Sequence, residues 1–205
     1  MRRIPAAQRR QELIAAAIRV IVRGGVSALT TRAVAAEANM PLGTIHYIFE
    51  SQDDLMGAVV DAVTEEERIA AESTTMESAS VEEAVRDGLE AYIAVLERDP
   101  TRELAVLELG LFARRNDTAG RMRAQWSGYY VTATELLEAA AARGGAEWTV
   151  PVSDLARSLI AALDGITTTF LADGDGVAAR STAAFFASAF TAHTRTITKE
   201  TPHAH

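Results

Sequence analysis

Two short stretches, Thr30-Thr31-Arg32 and Pro41-Leu42-Gly43-Thr44-Ile45-His46-Tyr47, gather hydroxyl, guanidinium, imidazole and phenol groups beside residues of little bulk. Such groups on a short exposed helix suit contacts to phosphates and base edges in a DNA major groove. They do not suit catalysis. The four histidines are His46, His193, His203 and His205. None belongs to a His-Glu-x-x-His motif, the one Glu-x-x-His spacing (Glu200 to His203) stands alone where a di-iron bundle needs two, and there is no glycine-rich phosphate loop or nucleophile elbow. No catalytic residue, metal site or cofactor is therefore expected. The His203-Ala204-His205 tail reads as a frayed, solvated end rather than a weak metal site.

The residues from Leu29 to Leu55 predict two short helices held at a fixed angle. Ala35 falls where the helices would cross, and its small side chain permits close approach. Asn39 follows the first helix and tolerates the left-handed conformation of a tight exit. Pro41 fits an initiating position of the second, where its missing N–H is unpaired anyway. Ala35, Ala38, Met40, Ile45 and Phe49 then face inward, leaving Leu42, Gly43, Thr44, His46 and Tyr47 toward solvent. His46 has two readings, a packed ring or a contact to a base edge or phosphate. The second is favoured because Ile45 and Phe49 already supply the buried side. The Tyr47 phenol can donate to a phosphate while its ring packs on the helix. Thr30 can cap a helix whose free N–H groups also face a phosphate. Arg2 and Arg3 are either a free end or a basic arm reaching DNA.

Upstream, QRRQELIAAAIRVIVRGGVSALT places Leu13, Ile14, Ala17, Ile18 and Ile21 on one stripe, closed by Gly24-Gly25. With this helix included, residues 8–56 resemble the DNA-binding domain of TetR-like one-component repressors. The features that carry the likeness are the arginine-rich first helix, a glycine before the small turn, Thr30-Thr31, Ala35, Gly43-Thr44-Ile45, Tyr47, Phe49, and Ser51 with Asp53-Asp54-Leu55. The resemblance implies an all-α homodimer with an N-terminal three-helix, helix-turn-helix reader and a larger C-terminal ligand-binding and dimerisation domain. It implies DNA contacts from Thr30, Thr31, Arg32, Pro41, Leu42, Gly43, Thr44, His46 and Tyr47. Four positions depart from the family pattern. Asn39 stands where Gly is commoner, His46 where Tyr is common, Ile48 where His is common, and Gln52 where a phosphate-contacting Lys is usual. Ile48 and Gln52 each remove an expected contact, so neither is counted as DNA-binding.

The chain has 205 residues, 48% of them hydrophobic, enough to bury a core in one or two compact units. It contains no cysteine, which excludes disulfides and thiolate metal sites and suits a reducing cytoplasm. Arg19 and Arg23 interrupt the first apolar stretch, so no secretory segment is read there. No apolar run approaches ~20 residues, and no membrane-spanning helix is expected. The net charge is −8, yet residues 1–50 carry seven arginines against three glutamates, a local +4 that leaves −12 for the remainder. Affinity for DNA depends on local cations, and a screened acidic domain more than ~10 Å away opposes it weakly. The asymmetry fits a basic reader joined to an acidic sensor.

Ser51, with Asp53 and Asp54 in the first turn, opens a helix toward Glu72, and Ser80-Val81-Glu82-Glu83 is a capping-box pattern for one ending near Arg98. Asp99-Pro100 breaks that helix, and Thr101 can cap another to Arg115. A long helix follows from Asp117 to Arg143, then Pro151 to Asp173, then Gly176 to about Thr198. No alternating β-branched run argues for strands. About nine helices are expected, divided as a reader over 1–50, a sensing and dimerisation domain over 51–198, and a flexible tail over 199–205.

Candidate ligand contacts are Tyr92, Phe112, Trp126, Tyr129, Tyr130 and Phe170, although an aromatic at helical spacing is more often core than pocket. Glu108 shares an apolar stripe with Leu104, Ala105, Leu111 and Phe112. A buried carboxylate needs a partner, here a ligand cation or an internal arginine such as Arg121 or Arg123. The last two helices interleave small residues with apolar ones. They read either as a buried hairpin or, as the resemblance favours, a dimer face of Leu159, Ala162, Leu163, Gly165, Ile166, Phe185, Phe186 and Ala189. The expected partners are double-stranded operator DNA, a small-molecule effector and a second copy of the chain, with no membrane. The alternative is a small-molecule-binding scaffold protein with a vestigial reader.

Overall fold

The computed structural model describes residues 5–74, 80–115 and 119–197. Arg2, Arg3, Asp117, His203 and His205 lie outside them. Among the described residues the order is α1 (Ala6–Gly24), a 3₁₀ turn (Val26–Ala28), α2 (Thr31–Glu37), α3 (Leu42–Ile48), α4 (Gln52–Thr74), α5 (Val81–Arg98), α6 (Pro100–Arg115), α7 (Ala119–Arg143), β1 (Ala146–Trp148), α8 (Val152–Asp173), α9 (Gly176–Thr191) and β2 (Thr194–Thr196). The fold is all-α, with an N-terminal helix-turn-helix and a helical C-terminal part.

The helix boundaries are written in short polar residues. Ser51 Oγ accepts from the Asp54 N–H at 3.1 Å, and Asp54 in return accepts from the Glu50 N–H at 3.1 Å, opening α4. Ser80 Oγ accepts from the Glu83 N–H at 3.2 Å at the start of α5. Asp175 Oδ1 accepts from the Val177 and Ala178 N–H groups and starts α9, just after Gly174 closes α8 in the left-handed region. At α6 the cap is Asp99 and not Thr101: the Arg102 N–H reaches Asp99 Oδ1 at 3.1 Å. Pro100 takes the first helical position, so the capping position falls one residue earlier.

Two compact units result. One combines residues up to 67 with 99–127, the other 68–98 with residues from 128 onward. A single cut at residue 50 does not describe this packing, because α6 and the first part of α4 share a core with α1–α3. That core holds Leu13, Ala17, Ile21, Val34, Ala35, Ile45 and Phe49 together with Leu55 and Val59 of α4 and Ala105 and Leu109 of α6. In the second unit Leu89, Ile93 and Leu96 of α5 meet Leu137 of α7, Ile166 and Phe170 of α8, and Ala183, Ala187 and Phe190 of α9.

Two sequence expectations need correction. The final helix ends at Thr191, not near Thr198, and Thr194–Thr196 pairs antiparallel with Ala146–Trp148, with Glu147 opposite Arg195. Three-residue strands are too short to leave an alternating pattern in a sequence window. Trp148 anchors this ribbon by donating from Nε1 to the Leu137 carbonyl at 3.1 Å. Second, α8 is 22 residues long and an 18-residue window of it has mean hydropathy 1.3, enough by length and composition to cross a membrane. Its large apolar residues pack in or against the second unit's core, and Asp154, Arg157, Asp164 and Asp173 lie on the exposed side.

Candidate nucleic-acid interface

The outward face of α2 and α3 is assembled by local chemistry. Thr30 is the N-cap of α2, its Oγ1 accepting from the Ala33 N–H at 3.1 Å. At the other end Asn39 takes φ 52°, the Met40 N–H returns to the Ala35 carbonyl and the Asn39 N–H to the Ala36 carbonyl. This pair of bonds around a left-handed residue is the Schellman exit, and it fixes the angle at which α3 begins. Pro41 occupies the N-cap of α3, one residue before the first helical turn. Ile45 and Phe49 are buried beneath α3, so the remaining residues of its first turns point away from the core.

Thr30, Arg32, Pro41, Leu42, Gly43 and His46 are exposed, and Tyr47 is 77% exposed; Thr31 and Thr44 are half-buried. A side chain added at Gly43 would meet nothing within 4 Å. The protein's own packing does not require glycine there, which leaves the bare backbone free for close approach by another molecule. Ile48 is half-buried and packs on the reader core. Gln52 donates from Nε2 to the Leu29 carbonyl at 2.7 Å, a contact within the fold that sequence reasoning missed.

Charge is distributed less freely than the sequence count suggests. Arg19 and Arg23 of α1 both bind Glu37 of α2, at 2.7 and 2.5 Å. Their side-chain hydrogen bonds hold the Glu37 carboxyl below its usual pKa. Arg10 lies over the Phe49 ring, 4.7 Å from its centroid, joining α1 to the end of α3. Arg32, one residue into α2, is exposed beside the N–H groups of that helix.

Residues 13–59 match the family model for bacterial regulatory proteins of the tetR family. The HTH-type nicotine-responsive transcriptional repressor HdnoR of Paenarthrobacter nicotinovorans is 33% identical over 172 residues, 83% of this chain and 88% of that protein. The chain belongs to the TetR family. Among solved structures, the multidrug binding protein EbrR complexed with imidazole is 30% identical with a TM-score of 0.67, over 87% of this chain and 89% of that one. A TetR transcription regulator from Haloarcula marismortui shares the fold at 21% identity, with a TM-score of 0.73 over 90% of this chain and 98% of that one. The exposed face of α2 and α3 thus belongs to a DNA-binding transcriptional regulator.

The candidate sensing residues do not gather in one unit. Glu108, Phe112 and Trp126 fall in the first, and Tyr92, Tyr129, Tyr130 and Phe170 in the second. Glu108 is half-buried, and its Oε2 accepts from the Val26 N–H at 3.1 Å. Arg123 is exposed, and the side chain of Arg121 lies outside the described residues. Phe112 packs on the reader core. Tyr92 shares a 2.6 Å hydrogen bond with Thr167, a buried hydroxyl that sequence analysis did not single out, and Phe170 is core. The Arg157 guanidinium lies over Tyr130, 4.6 Å from the ring centroid. Among the described residues the most buried carboxylate is Glu103, 3% exposed and bonded to Arg102, a residue that sequence reasoning also missed.

Of the proposed dimer residues, Ala162 and Ile166 are buried in the second unit's own core, so they are not available to a partner. Leu159, Leu163 and Phe186 are half-buried, and Gly165, Phe185 and Ala189 are exposed. Phe185, 69% exposed, meets Phe186 edge-on at 5.7 Å.

Two outcomes are expected from this geometry. A carboxylate whose pKa is depressed on folding stabilises the fold fully above its unfolded value, near 4.5, and loses that contribution as pH falls through the folded value. Glu37→Gln should therefore lower the melting temperature at neutral pH, with the gap to wild type closing below about pH 4.5. A gap constant between pH 7 and pH 3 would assign the effect to shape instead. On the outer face, Tyr47→Phe should weaken binding to all DNA sequences alike, by ~1 kcal/mol per site. His46→Ala should change which sequences are selected, and unchanged preference in a folded variant would remove His46 from base reading.

Proposed function

We propose that this regulator is a repressor, held on a pseudo-palindromic operator as a homodimer and released by a small-molecule effector. The observation that carries the DNA reading is the exposed face of Thr30, Arg32, Gly43, His46 and Tyr47, seated on a core that leaves none of its backbone covered at Gly43. Its action is binding rather than turnover. Two readers related by twofold symmetry would enter successive major grooves about one helical turn apart. An effector must bind one state better than the other for this spacing to change.

Nicotine acts on one relative and imidazole occupies another, which supports a small nitrogenous base as the effector class here. The exposed apolar side chains of Val177 and Phe185 on α9 support dimerisation through the last two helices. In that arrangement Leu159, Leu163, Gly165, Phe185, Phe186 and Ala189 would meet the partner.

The test is selection of duplexes from a random pool by the pure protein. A pseudo-palindrome should be enriched, and log affinity should fall with log salt at a slope of about −5 to −9 for a dimer neutralising ~3–5 phosphates per protomer. Salt-indifferent affinity, or no enriched sequence, would favour the scaffold reading. For the dimer, Gly165→Leu is informative because the added side chain meets nothing within 4 Å in the protomer. Replacing a mid-helix glycine should stabilise the isolated fold by up to ~1 kcal/mol. Sedimentation at micromolar concentration should nonetheless show a loosened dimer, and a tight dimer would move the interface off this face.

A further inference from the structure

The 3₁₀ turn Val26–Ala28 connects α1 to α2, and its two ends are gripped by side chains from elsewhere in the first unit. At its entry the Val26 N–H donates to Glu108 Oε2 of α6 at 3.1 Å, across 82 positions of sequence. At its exit the Leu29 carbonyl accepts from Gln52 Nε2 of α4 at 2.7 Å. Inside the turn only two backbone bonds operate, Ala28 N–H to Gly25 and Leu29 N–H to Val26. Gly25 is suited to this site twice over. Its φ is +72°, and a Cβ there would stand 3.0 Å from Glu108 Oε2.

We propose that Glu108 and Gln52 are positioning residues for operator binding, forming a two-point clamp that sets the pose of α2 from α6 and α4. Leu29 immediately precedes Thr30, the N-cap whose helix offers its free N–H groups on the exposed face. A displacement of the Leu29 carbonyl is therefore a displacement of the phosphate-facing end of α2. Val26 and Leu29 are themselves buried, so the turn moves as a packed piece and not as a loose loop. The clamp gives a shift of either helix a direct polar route into the reader. Where the family usually has a lysine for phosphate, Gln52 turns the same position to an internal carbonyl. The inference rests on the DNA-binding reading above.

The experiment measures affinity of the full chain, by fluorescence anisotropy at several salt concentrations, for duplex DNA selected by the wild-type protein. Gln52→Met removes the donor and keeps the volume. Glu108→Asp keeps the charge and withdraws the carboxylate by one methylene. Each should bind about 5–20-fold more weakly, as expected for one hydrogen bond, with the salt slope unchanged because no phosphate contact is lost. Glu108→Gln, which keeps both reach and an acceptor, should recover affinity to within about twofold of wild type. The double variant should lose less than the product of the single effects, since both ties hold one turn. Folded Gln52→Met and Glu108→Asp proteins that bind like wild type, even with lowered melting temperatures, would overturn the clamp and leave the DNA-binding reading intact. If Gln52→Met fails to fold, the Asp and Gln substitutions at Glu108 decide alone. A wild-type protein that selects no DNA would overturn both.

Discussion

A three-helix reader of this length cannot bury enough apolar surface to hold its own geometry. The shortage is met by borrowing: Leu55, Met56 and Val59 of α4 and Ala105 and Leu109 of α6 enter the same cluster as Leu13, Ile21, Val34, Ile45 and Phe49. Close-packed interiors deform little, so α2 and α3 take their orientation from α4 and α6 as much as from α1. The reader is thereby made sensitive to those two helices. Polar ties follow the same division, with Gln52 of α4 and Glu108 of α6 each reaching a backbone group of the turn that enters α2.

Electrostatics reinforces that packing before it serves DNA. Two of the seven arginines in residues 1–50 are committed to Glu37, which secures α1 against α2, and Arg10 covers the Phe49 ring. Surface ion pairs add little to stability singly, but two guanidinium groups on one carboxylate restrict both helices at once. The arginines left to steer toward phosphate are therefore fewer than the seven of the sequence. Arg32 stands out among them because it is exposed on the same edge as the N-terminus of α2, where the helix dipole has the same sign.

The legible parts of this chain were those decided within a few residues. Thr30 as a cap, Asn39 in the left-handed region, Pro41 before α3 and the inward spacing of Ala35, Ile45 and Phe49 all rest on local rules. What escaped was decided across long separations or by competition between neighbours. Glu108 was recognised as a carboxylate in need of a partner, but a main-chain N–H 82 residues away leaves no trace in sequence. Asp99 displaced Thr101 as a cap because Pro100 claimed the first helical position. The β1–β2 ribbon is shorter than any periodicity can register. Long-range packing is hidden for a related reason: sequence order does not reveal that a helix beginning at Pro100 packs beside the first helix of the chain.

Helix α8 defeats periodicity in a different way. Its apolar residues are too many for one stripe, so Ala162 and Ile166 looked equivalent to Leu159 and Gly165 until the fold separated them. The first pair is buried and Leu159 packs against the second unit's core, while Gly165 opens to space, where an added Cβ would meet nothing within 4 Å. The exposed side of α8 is mostly polar, with Asp154, Arg157, Ser158, Asp164, Thr168, Thr169 and Asp173 set among Ala161, Gly165 and Ala172. The charges along α8 argue against a membrane span. Asp154, Arg157, Asp164 and Asp173 recur at intervals along its length, and charges near the middle of a lipid-facing span are costly. Small outer residues such as Ala161, Gly165 and Ala172 would let a partner helix approach closely, whereas lipid contact asks for no such closeness.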